Sequence, residues 1–200
     1  MKRLLLAAPL FLTACLTTNA PLMPILATAE VSNDFDTYRI RRVGLPPFRG
    51  NSLSAVESKE LQSAFLSEVT RSTPYEVVPL VEADLEMIES GDPHRRGWYS
   101  PTTVIQIAGR YSLDAIFFGS VTDERFYPPQ LLALNVDLVS AETGLVIWSS
   151  TVHLDATDPR VRDGLKAYFW SEEDQEAWRL ALLSPERFSR FAAYQVACLL

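Results

Sequence analysis

Cysteine, histidine and glycine are all scarce in this 200-residue chain, and each shortage closes a route. Two cysteines, Cys15 and Cys198, cannot build a disulfide framework, so a core must hold the fold. Two histidines, His94 and His153, leave little for acid–base or metal chemistry. The glycines form neither a phosphate loop nor a dinucleotide-binding pattern, and no serine sits in a nucleophile-elbow setting. Positive charge is short as well. Lys and Arg number 18 against 25 Asp and Glu, a net charge of -7, which excludes nucleic acid because phosphates demand a basic face. The leading apolar run, Leu4 to Leu12, falls far below the roughly 20 residues that a membrane-spanning helix needs. What the chain has in quantity is apolar side chains, 48% of it, enough for a real core and too many for wholesale disorder.

The apolar run follows Met1-Lys2-Arg3, and a charged start, a short apolar stretch and small residues have the shape of a secretory signal. The run closes on Leu12-Thr13-Ala14-Cys15, which resembles the lipobox of bacterial lipoproteins. That resemblance implies cleavage after Ala14 and a diacylglycerol on the Cys15 sulfur. The next residue is Leu16 rather than Asp, which in Gram-negative lipoproteins points to the outer membrane, with the domain facing the periplasm. Removing residues 1–14 takes away Lys2 and Arg3 and no acids, so the mature chain is more acidic still. It cannot adhere to anionic headgroups by charge, and attached acyl chains would have to anchor it. A second reading stays open: Ala27-Thr28-Ala29 fits an ordinary signal-peptidase site, and cleavage there would discard Cys15 and release a soluble protein. Thr17-Thr18-Asn19 interrupts the apolar run and weighs against it. Cys198 lies in an apolar helical pattern and is expected to be a buried, inert thiol; an intermolecular disulfide is the other option.

Residues 15–37 carry Thr, Asn, Ala, Pro and Ser without sustained periodicity and are expected to form a tether with a reach of some tens of Å at about 3.3 Å per residue. An α/β domain is expected over 38–155. Arg39–Leu45 is a strand ended by Pro46-Pro47. Ser54-x-x-Glu57 is a capping box, opening a helix with Leu61, Phe65 and Val69 on one face. Tyr75–Leu80 is a second strand, with Pro79 marking an edge, and the three elements make a parallel βαβ unit. A short helix is expected over Glu82–Glu89, and one from Ser100-Pro101 to Tyr111. Asp114–Thr122 is too apolar at its centre to be an edge strand. Leu132 to Leu138 and Val146 to Leu154 alternate, and with the turn Ala141–Gly144 they form an antiparallel hairpin with one buried face. Ser171-x-x-Asp174 and Ser184-Pro185-Glu186 read as helix starts in a helical extension over 156–200 that packs on the domain. The acids of 172–176 would then complement a helix dipole. The expected fold class is α/β: a mixed sheet of about five strands with helices packed on it.

The order of these motifs resembles a group of bacterial envelope domains. The carrying pieces are RIRRVGLPPF, YEVVPL, IAGRYSLDAIFFGSV and NVDLVSAETGLVIWSSTV, over about residues 38–154. The group includes the amino-terminal domain of the Tol β-propeller protein, the lipoprotein activators of penicillin-binding proteins and the curli secretion-channel lipoprotein. The resemblance implies an envelope domain that binds a protein or assembles with copies of itself. Residues 156–200 fall outside the shared pattern, and 122–131 are too few to supply a channel's barrel hairpin. Gly119 in a packed strand admits a close neighbour, and Trp148 is expected to plug the core against a helix.

Catalytic, metal and cofactor sites are not expected. His153-x-Asp155-x-x-Asp158 matches no zinc spacing and reads as surface. The candidate partner surface is basic and aromatic: Arg95, Arg96, Trp98 and Tyr99 in the loop GDPHRRGWY, and Phe126 and Tyr127 in ERFYPPQ, residue types enriched at interface centres. The first functional expectation is a non-catalytic outer-membrane lipoprotein that binds or helps assemble another envelope component. The alternatives are a subunit of a self-assembling secretion or envelope complex, and an enzyme or small-molecule receptor with a pocket beside the sheet.

Overall fold

The computed structural model describes residues 22–83, 100–171 and 173–200. The alternating runs come together in one mixed sheet of seven strands rather than about five. In chain order these are β1 (Ala27–Val31), β2 (Arg42–Leu45), β3 (Arg49–Gly50), β4 (Glu76–Pro79), β5 (Ala115–Arg125), β6 (Leu131–Ser140) and β7 (Val146–Asp155). The helices are α1 (Ala55–Ser72), α2 (Pro101–Tyr111), α3 (Pro159–Tyr168), α4 (Trp178–Ala181) and α5 (Pro185–Ala197). The strand order is β1-β7-β6-β5-β2-β4, with the two-residue β3 pairing to β5.

The expected βαβ unit is present. β2 lies parallel to β4, Val43 opposite Val77, and α1 crosses between them. Ser54 caps α1 through its side chain, and Glu57 returns the bond to the Ser54 backbone N–H at 2.8 Å. β4 is an edge strand, as Pro79 requires, since proline has no N–H for a further neighbour. β5 lies inside the sheet, parallel to β2 and antiparallel to β6. β6 and β7 form the hairpin, closed at Gly144, which has a φ of +70°. A Cβ there would also stand 2.5 Å from Pro101 Cα, so turn and α2 meet at a position only glycine fills.

The helices cover the sheet unequally. α1 and α5 lie on one face, where Phe65, Phe117, Leu134, Leu138, Trp148, Phe188 and Phe191 form the main core. Each such side chain contributes about 1.5–3 kcal/mol on burial. Trp148 is the expected plug: it is buried, its ring meets Phe117 edge-on at 6.4 Å, and its indole N–H donates to the Leu199 carbonyl at 3.2 Å. Gly119 admits the Phe48 ring, which a Cβ would meet at 2.2 Å. On the other face, α2 packs Val104, Ile107 and Ala108 against Ile116, Phe118 and Val139. The hairpin is therefore not buried on one face only. Val139 points to the α2 side, and Ala133, Asp137 and Ser149, which alternate with the main-core residues, are buried too.

Three further expectations change. Part of the tether expected over 15–37 belongs to the fold: Ala27–Val31 is the edge strand β1, antiparallel to β7, and Phe35–Thr37 is a single 3-10 turn. The Ser171–Asp174 motif makes a turn, not a helix start. The Asp174 N–H donates to Ser171 Oγ at 3.0 Å and the Glu176 N–H to Asp174 Oδ1 at 3.0 Å, so Asp174 serves that turn instead of a helix dipole, and α4 begins only at Trp178. Cys198 is an exposed residue rather than a buried one: it caps α5 at the chain's surface, its thiol bonded back to the Tyr194 carbonyl. Of the helix expected over Glu82–Glu89, only its first two residues are described.

Candidate functional site

The candidate residues divide sharply. Ala14, Cys15, Arg95, Arg96, Trp98 and Tyr99 lie outside the described residues. Phe126 and Tyr127 stand in the turn between β5 and β6, where Arg125 Nε donates to the Pro129 carbonyl at 2.5 Å. Phe126 is half-buried against the main core, and Tyr127 is 70% exposed. Of that pair, only Tyr127 offers a free aromatic face.

The histidine–aspartate motif has local work. The Asp155 carboxylate accepts from the Thr157 hydroxyl and N–H, both at 2.7 Å, bonds that hold its pKa below the usual value. Asp158 caps α3 by accepting from the Arg160 N–H at 2.8 Å, which likewise lowers its pKa. His153 points to solvent from β7. Among the described residues, no three His, Cys, Asp or Glu side chains converge as a metal site would require.

Two features that the sequence did not announce are built on the helices. The first is a polar knot under α1. Glu68 is fully buried, yet it lies on a helix beside main-core residues. The Tyr168 hydroxyl of α3 donates to Glu68 Oε1 at 2.6 Å, Arg71 pairs with Oε2, and Arg190 of α5 stands 3.7 Å away. Burial and the bond to Glu68 push the Tyr168 phenol well above its usual pKa, and Arg71's own bond to Glu68 raises the guanidinium. The Arg71 guanidinium also lies 5.5 Å from the Tyr194 ring centre. Beside the knot a groove of about 630 Å³ runs between α1 and α5, lined by Val56, Lys59, Ser63, Ser67, Glu186 and Arg190. It holds no nucleophile–base pair, and its walls offer apolar contact framed by charges of both signs.

The second feature is a cleft of about 550 Å³ at α3 and α4. Its walls include Arg162, Lys166, Trp170, Trp178 and Arg179. Lys166 Nζ lies 5.3 Å and the Arg179 guanidinium 5.8 Å from the Trp178 ring centre, within cation–π range. Asp163 binds Lys166 at 2.9 Å and Glu176 pairs with Arg179, while Arg162 Nε donates to the Ala156 carbonyl at 2.8 Å. Two tryptophans eight residues apart, with bases at 162 and 166 on one helix face, were the available signal. The irregular turn between them hides it from a periodicity reading.

No protein-family model matches the chain, and no curated protein matches it. Solved structures do. The PelC dodecamer of Paraburkholderia phytofirmans aligns at 12% identity and a TM-score of 0.47, covering 82% of this chain and 95% of that one. Lipoprotein GNA1162 of Neisseria meningitidis aligns at 15% identity and a TM-score of 0.42, over 57% of this chain and 79% of that one. LpoB of Escherichia coli aligns at 13% identity and a TM-score of 0.41, over 77% of this chain and 82% of its own. At these scores the likenesses assign no function, and they do not show the Tol or curli parts of the resemblance drawn from the motifs.

Proposed function

We propose that the chain is a lipid-anchored, non-catalytic domain of the bacterial envelope that binds or helps assemble another envelope component. One observation carries the anchoring: residues 23–31 are built into the fold. Ala27–Val31 pair with β7 from Val152 to Trp148. Ahead of them the Leu26 N–H donates to Gln195 Oε1 at 2.7 Å, and Gln195 Nε2 donates to the Pro24 carbonyl at 3.1 Å. Ordinary signal cleavage after Ala29 would cut β1 in two and strip both partners from the buried Gln195. Cleavage after Ala14 leaves every one of these bonds intact and places Cys15 at the new terminus. Leu16 in place of Asp supports delivery to the outer membrane. The non-catalytic part rests on the sequence: its scarce histidines and its missing nucleophile, phosphate-loop and dinucleotide patterns.

In-cell crosslinking of the tagged protein, followed by mass spectrometry of the captured complex, tests the binding role. One dominant foreign envelope protein is the expected result. A ladder of self-crosslinks would replace this reading with that of a ring- or complex-forming subunit, and capture of nothing above background would count against both.

A further inference from the structure

The end of the sheet where β1 begins concentrates exposed apolar side chains. Ala27 pairs with Val152, so residues 22–26 run level with the end of β7 and the start of α3. Pro24 touches α3: its Cγ lies 3.4 Å from where a Cβ of Gly164 would stand. β5 ends and β6 starts at this same end, with the Phe126–Pro129 turn between them. Gln130, next in the chain, donates to the Ala181 carbonyl of α4 at 3.3 Å, which brings α4 to the same place. Here Leu22, Ile25, Tyr127, Leu180 and Leu183 are 95%, 61%, 70%, 51% and 66% exposed. The cleft with half-buried Trp170 and Trp178 opens beside them. Elsewhere among the described residues, Val31, Val56, Val81, Ile105 and Leu145 are exposed apolar side chains at scattered places in the fold, which is ordinary. A gathering at one end is not, because soluble surfaces rarely collect apolar patches without a partner.

The length of the chain outside the domain identifies the partner. Six residues lie between Cys15 and Leu22, and the seven steps span about 25 Å at most when fully extended. An acylated Cys15 therefore keeps this end within about 25 Å of the bilayer surface. The residue types suit that position. Tryptophan and tyrosine settle at the headgroup level with an apolar body and a polar tip, and Lys and Arg lay their stems along apolar surface with their charges in water. Asp163 and Glu176 pair two of the cleft's three bases, and the mature chain as a whole is acidic, so the attraction is apolar rather than coulombic. We infer that the α3–α4 end, with Leu22, Ile25, Tyr127, Leu180 and Leu183, rests on the phospholipid surface that holds the Cys15 lipid. The domain is thereby docked in one orientation instead of swinging on a tether, with the β6–β7 turn facing away from the membrane.

This inference rests on the anchoring reading, and one experiment separates the two. The lipidated protein is reconstituted into vesicles of phosphatidylethanolamine and phosphatidylglycerol carrying a nitroxide at the top of the acyl chain. Flotation with the vesicles reports the anchor, and quenching of tryptophan fluorescence reports docking. The wild type should float and be quenched. Trp170→Phe/Trp178→Phe and Leu180→Asp/Leu183→Asp should float equally and lose the quenching, with melting temperatures held as a check on folding. Quenching unchanged in both floating, folded variants would overturn the docking while leaving the anchor in place. A wild type that fails to float would sink the anchoring reading, and the docking with it.

Discussion

Glu68 is the residue with most at stake. A fully buried carboxylate costs several kcal/mol unless its oxygens are bonded, and its partners come from three different helices. Tyr168→Phe removes one of them without opening a cavity. Urea unfolding at neutral pH should show a loss of about 1–3 kcal/mol, the range for stranding a buried charged acceptor. The pH dependence has a definite sign. The folded Tyr168 pKa is raised above 10.0, so its contribution is complete below that value and is lost as pH rises through the folded pKa. Burial also raises Tyr75 and Tyr194, which should weaken both proteins at alkaline pH. The difference between wild type and variant should therefore narrow above pH 10; a gap that widens there would contradict the knot. Cys198, at the far end of the same cluster, donates to the Tyr194 carbonyl at 2.8 Å, and partial burial pushes its thiol pKa up. A protonated thiol is a weak nucleophile, so exposure alone does not make it reactive.

β1 shows how an element can matter beyond its own core contribution. Only Ala27 in it is buried, yet the segment leading into it satisfies Gln195 and covers the edge of β7. A chain starting at residue 22 should melt like the full mature protein. A chain starting at residue 32 should lose about 3 kcal/mol from the stranded Gln195 and the bared strand, a fall of about 6–12 °C by thermal scan. Equal melting of the two would remove the argument against cleavage after Ala29. The same strand marks the limit of what the sequence reveals. Capping at Ser54, the α1 stripe, Pro79 at an edge and the Gly144 turn are local signals, and each holds in the structure. β1 reads Ala-Thr-Ala-Glu-Val, too short and too small-sided to announce a strand, and it exists because β7, some 120 residues on, lends it a ladder. Glu68 looks like a solvent-facing acid until Tyr168, 100 residues away, arrives to cover it. Of the two aromatics in the Phe126–Pro129 turn, Tyr127 stands exposed and Phe126 leans on the main core, a difference that the turn motif itself does not carry.

At the scale of the whole molecule, only six residues lie between the proposed anchor Cys15 and Leu22, so this account has a short link where the sequence suggested a long tether. Among the described residues no helix is long and apolar enough to cross a membrane. The proposed attachment is the lipid together with the apolar end. Everything in it depends on where the chain is processed. Intact mass spectrometry of the mature protein, extracted from the membranes of the cell that makes it, decides that directly. The expected mass is that of residues 15–200 plus a diacylglycerol, with or without an amide-linked acyl chain on the new terminus. A chain beginning at Glu30, or one that keeps residues 1–14 and carries no lipid, would contradict the account.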